Sequence, residues 1–317
     1  MIRKIILSLC CLALVLQGGC AKVHEDRTAM LKEFDDSYEH QFIKTNGIQL
    51  HVVLAGPEDG EMVIFLHGFP EFWYGWRNQI DFFADQGYRV VVPDQRGYNL
   101  SDKPRRIRDY DISNLSWDIV GLIDHFGKED IILVGHDWGA AVGWWTAIQH
   151  EDRIKKLGIL NVPHPTVMGE NLKSNWAQIK RSWYIYFFQL PWMPEKFMSG
   201  DDFETALKSI SGKYELTDAD KEKYKKAWGR SGAMKSMIHW YRSAFRSLRK
   251  AEKKAIVTVP TLMLWGKLDT ALGSEMAQPS IDLCEDGRLI FFEDATHWIQ
   301  HEKPNEVNRH LLEFIRE

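Results

Sequence analysis

Cysteine is scarce in this chain of 317 residues: Cys10, Cys11 and Cys20 sit at the N-terminus, and Cys284 stands alone in the remainder. One thiol cannot close an internal disulfide, so the folded part must stand on its core even in an oxidising compartment. Nothing around Cys284 points to catalysis. An excess of one charge is also missing. With 40 Lys and Arg against 44 Asp and Glu, the net charge is −4, which gives no electrostatic case for a nucleic-acid partner. The apolar run at the N-terminus, Ile5 to Leu16, is too short for an ordinary transmembrane helix. No internal repeat or low-complexity tract is present.

That short run has its own logic. Arg3 and Lys4 precede it, and Gly18, Gly19 and Cys20 follow. A basic start, a brief apolar stretch and small residues at the exit describe an export signal. Gly18-Gly19-Cys20 also resembles a bacterial lipoprotein cleavage site, at which the cysteine becomes lipid-modified, although Gln17 departs from the apolar residue preferred there. Residues 1–20 are read as a signal peptide or membrane anchor. The protein is expected to be exported: periplasmic or membrane-anchored, with lipid on Cys20 as one option, or else secreted.

Aromatic residues are plentiful. The 13 tryptophans and 16 phenylalanines suit a large core and an aromatic-lined apolar cavity. Short apolar runs at 63–66, 88–92, 131–134, 157–160, 261–265 and 289–292 alternate with helix-length segments such as 113–126 and 138–149. Continuous rather than alternating hydrophobicity predicts strands buried on both faces of a mostly parallel sheet, hence an α/β fold. Two further strands, 41–44 and 48–54, flank Asn46-Gly47, a strong hairpin signal. The rhythm breaks from about Thr166 to Lys254, a charged, Trp- and Tyr-rich stretch that reads as a helical cap. The core is then 36–165 together with 255–317. The basic run Lys221 to Lys226 reads as a solvated helix face; Arg246 to Lys254 reads as solvated surface, with contact to anionic lipid the lesser alternative.

Gly135-His136-Asp137-Trp138-Gly139 follows the run Ile131 to Val134. This is a strand-to-helix elbow in which a nucleophile sits in a strained turn, with Asp137 where serine is usual. Glycines at 135 and 139 keep side chains away from the neighbouring strand and helix. A carboxylate is already anionic at neutral pH and can displace a leaving group from saturated carbon, forming an ester that water later opens. An acid there could instead cap the helix, but a cap needs no flanking glycines.

Other segments fall where an elbow needs partners. His67-Gly68-Phe69-Pro70-Glu71 follows the third strand, so the amides of Phe69 and Trp138 are the expected oxyanion donors. Asp269 follows the strand ending at Trp265, and His297 follows the last strand. The order nucleophile, acid, histidine fits a triad in which His297 is the general base and Asp269 orients it. The rival acid position holds Asn161-Val162-Pro163 and no carboxylate. His67, His136 and His164 are read as loop-orienting, and His301 as incidental.

Together, HGFPEFWYGWR at 67–77, PDQRGYNLSDKP at 93–104, GHDWGAA at 135–141 and NVPHP at 161–165 are highly specific. SWYIYFFQLPWMPE at 182–195, WYR at 240–242, WGKLDTAL and ATHWIQHEKP add to them. From about Tyr38 to the C-terminus the chain resembles the α/β-hydrolase-fold epoxide hydrolases, most closely the branch with N-terminally membrane-anchored members. The resemblance implies an α/β-hydrolase fold, a hydrophobic epoxide and water as reactants, a vicinal diol as product, and no metal or cofactor. It also implies that two cap tyrosines hold the epoxide oxygen, by motif position Tyr184 and Tyr241. Haloalkane dehalogenases share the Asp-His-Asp triad and are the alternative. They hold the departing halide with an Asn after His-Gly or a second Trp, and here that position is Phe69, leaving Trp176 and Trp183. Fluoroacetate dehalogenases usually carry Arg where this chain has Trp138. A ligand-binding protein on the same fold would typically lack a triad member or a cap donor, and none is missing.

Overall fold

The computed structural model describes residues 29–31, 38–247 and 255–317. Residues 1–20, where an export signal is expected, lie outside these residues, as do positions 248–254 of the basic run ending at Lys254. The strands are β1 (Glu39–Thr45), β2 (Ile48–Ala55), β3 (Met62–Leu66), β4 (Arg89–Pro93), β5 (Ile131–His136), β6 (Ile154–Leu160), β7 (Thr261–Gly266) and β8 (Gly287–Phe292). They form one sheet in the order β1-β2-β4-β3-β5-β6-β7-β8. Only β2 runs antiparallel to its neighbours, β1 and β4; the remaining pairings are parallel. Asn46 and Gly47 turn the first hairpin with φ of 41° and 78°, the mirror-image turn whose twist matches the strands.

Three helices follow β3, β4 and β5: α1 (Arg77–Asp85), α2 (Ile112–His125) and α3 (Trp138–Gln149). Between β6 and β7 the chain forms α4 (Pro165–Ser174), α5 (Trp176–Arg181), α6 (Trp183–Phe187), α7 (Met193–Ile210), α8 (Asp218–Trp228) and α9 (Ala233–Ser247). Helix α7 breaks at Gly200–Phe203. The last helices are α10 (Ala277–Ile281), α11 (Ile299–Glu302) and α12 (Pro304–Arg316). Apolar spacing sets which face each buries: α12 turns Val307, Leu311, Phe314 and Ile315 inward. Side-chain caps fix starts. Asp111 accepts from the Ser113 amide to open α2, and Thr217 with Asp220 forms a capping box on α8. Among the described residues no helix is long and apolar enough to cross a membrane.

The apolar runs are strands with small shifts in their ends. β6 begins at Ile154, earlier than hydrophobicity predicts, because Lys155 and Lys156 belong to it. Lys155 pairs with Glu61, and Lys156 donates to the Phe314 carbonyl at 2.6 Å, so both cationic tips leave the sheet. Strands β3, β4 and β5 are buried throughout.

The register positions the site. Leu66 pairs with Gly135, His136 with Leu160, Leu160 with Leu264 and Gly266 with Phe292. The loops after β3, β5, β6, β7 and β8 therefore leave one carboxyl edge side by side, where open α/β sheets form their clefts.

Candidate active site

Asp137 occupies the sharp turn between β5 and α3 with φ 49° and ψ −125°, a region costly for any residue with a side chain. The flanking glycines are required by space. A Cβ at Gly139 would lie 2.1 Å from the Leu66 carbonyl oxygen, and one at Gly135 would lie 2.5 Å from the Gly139 backbone. The strained turn holds the carboxylate above the sheet edge. Its Oδ1 accepts the Phe69 amide at 2.7 Å, so the loop after β3 aims its donor at the proposed nucleophile. Trp138 is the first residue of α3, and its amide is among those a helix start leaves without an intrahelical acceptor.

His297 lies on the other side, with Nε2 3.5 Å from Asp137 Oδ2 and Nδ1 2.7 Å from Asp269 Oδ2. Burial disfavours its charged form, yet the two carboxylates outweigh burial and raise its pKa well above the ordinary imidazole value. The converse holds for Asp137. Burial pushes its pKa up, but the His297 hydrogen bond and charge, His136 and the Phe69 amide bring it below the usual carboxylate value. Both shifts favour an ionised acid facing an imidazolium before substrate binds.

The cap brings Tyr184 from α6 and Tyr241 from α9 over this edge, with ring centroids 5.9 Å apart. Trp138 and Phe69 pack edge-on against Tyr241 at 5.0 and 5.2 Å. Burial first, and then the Asp137 charge, raise both phenol pKa values, so both hydroxyls stay protonated as donors. Two cavities of about 160 and 280 Å³ meet here, and Asp137, Tyr184 and Tyr241 line both. All seven residues singled out in the sequence thus gather at one carboxyl edge and the cap above it.

A family model for the alpha/beta hydrolase fold matches residues 61–304. Epoxide hydrolase 1 of Caenorhabditis elegans is 37% identical over 288 residues, covering 88% of this chain and 71% of that protein. The chain belongs to the α/β-hydrolase-fold epoxide hydrolases. The AB hydrolase superfamily protein YfhM of Bacillus subtilis is 47% identical over 284 residues, covering 89% of this hydrolase and 99% of YfhM. The crystal structure of a Bacillus megaterium epoxide hydrolase in complex with an inhibitor superposes with a TM-score of 0.80 at 33% identity, covering 87% of this chain and 100% of that one.

The hydrolase carries site residues that sequence reading missed. Asn161, noted only as a missing carboxylate, donates to Asp269 Oδ2 at 2.9 Å and accepts from the Gly266 amide at 3.2 Å. The Ala271 and Leu272 amides hold Asp269 Oδ1, each at 2.8 Å. Beneath His297 lies a second buried network. His301 is not incidental: its Nε2 meets Glu71 Oε1 at 2.7 Å with both side chains sealed from solvent. Tyr224 of the cap donates to the same oxygen at 2.7 Å, and Gln300 bonds Glu71 Oε2 and His136 Nδ1, each at 3.1 Å. Burial and then the nearby His297 push His136 down to about 4, so its ring is neutral. A carbonyl can only accept, so His136 Nε2–H donates to the His297 oxygen at 2.8 Å, which leaves Nδ1 to accept from Gln300. His67 takes the Gln95 amide and His164 the Thr166 amide, both loop-holding roles. Cys284 is partly buried, and burial pushes its thiol up to about 11, away from nucleophilic use.

Proposed function

We propose that the protein opens an apolar epoxide to a vicinal diol through an ester on Asp137, without metal or cofactor. An Asp137 oxygen attacks one ring carbon while the ring C–O bond breaks. Tyr184 and Tyr241 donate to the departing oxygen, and one of them yields its proton, so that this oxygen becomes the hydroxyl of a hydroxyalkyl ester. Esterification removes the negative charge facing His297 Nε2, so the imidazolium loses one of the two carboxylates that kept it charged. It can then pass its proton to the tyrosinate left by ring opening and act as base. Water transfers a proton to His297 Nε2 and its oxygen adds to the ester carbonyl. The Phe69 and Trp138 amides hold the resulting oxyanion, an effect worth about 3–4 kcal/mol per donor. Collapse expels the diol and restores the carboxylate.

The observation that carries this reading is the position of Asp137: between the Phe69 amide and His297 on one side, and a cavity wall shared with two protonated tyrosines on the other. The cavity walls include Val162, Met168 and Leu172 in one arm and Phe187, Phe188 and Met198 in the other. Apolar groups on both epoxide carbons would fill them. A dehalogenase would need a halide donor at Phe69 or a second cap tryptophan. Trp176 is 67% exposed and lines neither cavity; Trp183 lines one of them but is 59% exposed. Residues 1–20 serve export, through cleavage, lipid on Cys20 or retention as an anchor, and the mass of the mature N-terminus distinguishes these.

The deciding experiment incubates His297→Gln with a reactive epoxide and locates the adduct by mass spectrometry. The expected product is a stoichiometric ester on Asp137. In wild type, one turnover in ¹⁸O water should leave the label in Asp137; label confined to the diol would mean direct attack by water. Halide release without diol formation would favour the dehalogenase.

A further inference from the structure

The large apolar side chains exposed among the described residues are concentrated on the cap; only Trp117, Ile256 and Leu268 lie elsewhere. Trp176 and Trp192 are each 67% exposed, Trp183 59% and Phe197 50%. Some of these rings meet one another, directly or through the half-buried Phe187. Trp183 lies 6.0 Å from Phe187, Phe187 lies 5.5 Å from Phe197, and Tyr186 lies 5.9 Å from Phe245. Trp183, Phe197 and Phe245 also line the two cavities that end on Asp137. The apolar exterior of the cap is continuous with the apolar interior. Monomers in water rarely keep so much contiguous apolar surface without a use for it.

The charge on this face opposes that of the chain. From Leu172 to Phe197 the ionised side chains are Lys173, Lys180, Arg181 and Lys196 against Glu195 alone. Arg242 takes up Glu195 at 2.6 Å and Glu275 takes up Arg181 at 3.1 Å, which leaves the charges of Lys173, Lys180 and Lys196. The whole chain carries −4, so this face is basic against the overall sign. Lys180 Nζ lies 5.6 Å from the Trp176 ring centroid. Amphipathic aromatic rings rimmed by cations with long apolar stems suit a lipid–water boundary, where the rings enter and the cations meet phosphate. A soluble protein partner would account for the rings, but not for their continuity with a cavity that takes apolar molecules.

We propose that the cap face bearing Trp176, Trp183, Trp192 and Phe197 docks on an anionic phospholipid bilayer, and that apolar substrate passes from the lipid into the cavities. Docking is independent of the reaction, whereas substrate entry rests on the function proposed above. The N-terminal run Ile5 to Leu16 would give the same chain a second hold on that bilayer.

The test uses the full chain on vesicles of phosphatidylcholine and phosphatidylglycerol with brominated acyl chains, which quench tryptophans that enter the lipid. Strong quenching of vesicle-bound wild type is expected, and Trp176→Phe/Trp183→Phe/Trp192→Phe should lose most of it while still sedimenting with vesicles. A protein tethered only by its N-terminus would sediment with its tryptophans unquenched, and that result would overturn the proposal. So would unquenched tryptophans in a dimer that Trp176→Glu/Trp192→Glu dissociates, since a second copy would then own the face. The same glutamate variant should lose most of its turnover of an epoxide dissolved in the vesicles and keep its turnover of a water-soluble one. Equal turnover of both would overturn the entry route. Intact quenching without any diol formation would strike the reaction and leave docking standing.

Discussion

Asn161 Nδ2 donates to Asp269 Oδ2 at 2.9 Å, joining the end of β6 to the carboxylate that orients His297. Asn161 itself sits at φ 55°, a left-handed conformation that asparagine tolerates better than most residues. Its other side-chain atom accepts from the Gly266 amide, so one amide group fixes both the acid and the strand end that presents it.

Replacing Asn161 with Ala should therefore slow the reaction without emptying the pocket. A buried acceptor left short of a donor costs about 1–3 kcal/mol, roughly five- to 150-fold in rate. The expected result is a lower kcat with KM nearly unchanged, and slower hydrolysis of the Asp137 ester in single-turnover kinetics. An unchanged ester lifetime would show that Asp269 keeps its place without Asn161.

On the proposed mechanism the two tyrosines divide one task. General-acid assistance is worth roughly 10²–10⁴-fold, so Tyr184→Phe or Tyr241→Phe alone should slow ester formation strongly, and the pair should nearly abolish it. Rapid-mixing measurement of the alkylation phase checks this. A double variant that alkylates at the wild-type rate would remove both from the chemistry.

The contrast between the triad and its supports shows what a sequence can carry. Strands β3, β5 and β7 are continuous apolar runs because both faces are covered, so their ends, and the loops holding Phe69, Asp137 and Asp269, could be read directly. Asn161 and Asp269 are 108 residues apart, and Glu71 and His301 are 230 apart. No periodicity or local motif links such positions; only the parallel register and the fold of the cap bring them together. Asn161 in particular reads as a missing acid until the sheet puts it beside the acid that is present. The Tyr184 assignment came from family resemblance, because Tyr186 stands in the same segment. The structure separates the two: Tyr184 lines both cavities, and Tyr186 is 46% exposed.

Glu71 should matter for stability more than for chemistry. It is buried with His301, Gln300, His136 and Tyr224 around it, and burial, which raises its pKa, is overcome by His301 and its other partners, which hold it at about 2. Breaking a buried pair by removing one partner typically costs about 3–5 kcal/mol. Glu71→Leu should lower the urea midpoint by a corresponding amount. A double-mutant cycle with Tyr224→Phe should show coupling between core and cap. Additive losses would mean that Tyr224 does not hold the cap through this carboxylate.

With its raised pKa, His297 should make the fold lose stability as pH climbs into the alkaline range. Its pKa rises from 6.5 to about 10: burial opposes the rise, and the Asp269 and Asp137 charges and hydrogen bonds more than overcome it. A group raised in the fold binds its proton more tightly there than in the unfolded chain. Its contribution is fully present below the unfolded value near 6.5 and is lost as pH climbs through the folded value near 10. A tenfold difference in proton affinity between the two states corresponds to about 1.4 kcal/mol, so the denaturation free energy should fall by several kcal/mol across that window. Other groups titrate there as well, so the decisive quantity is the difference from His297→Gln, which lacks this proton. Asp137→Asn removes one of the two carboxylates facing the ring and should move the midpoint to lower pH while leaving the Asp269 contribution. Parallel wild-type and His297→Gln stability curves between pH 7 and 10 would mean that the resting imidazole is neutral. It would then be competent as a base before any ester forms, and the order in which charge leaves the site would have to be reversed.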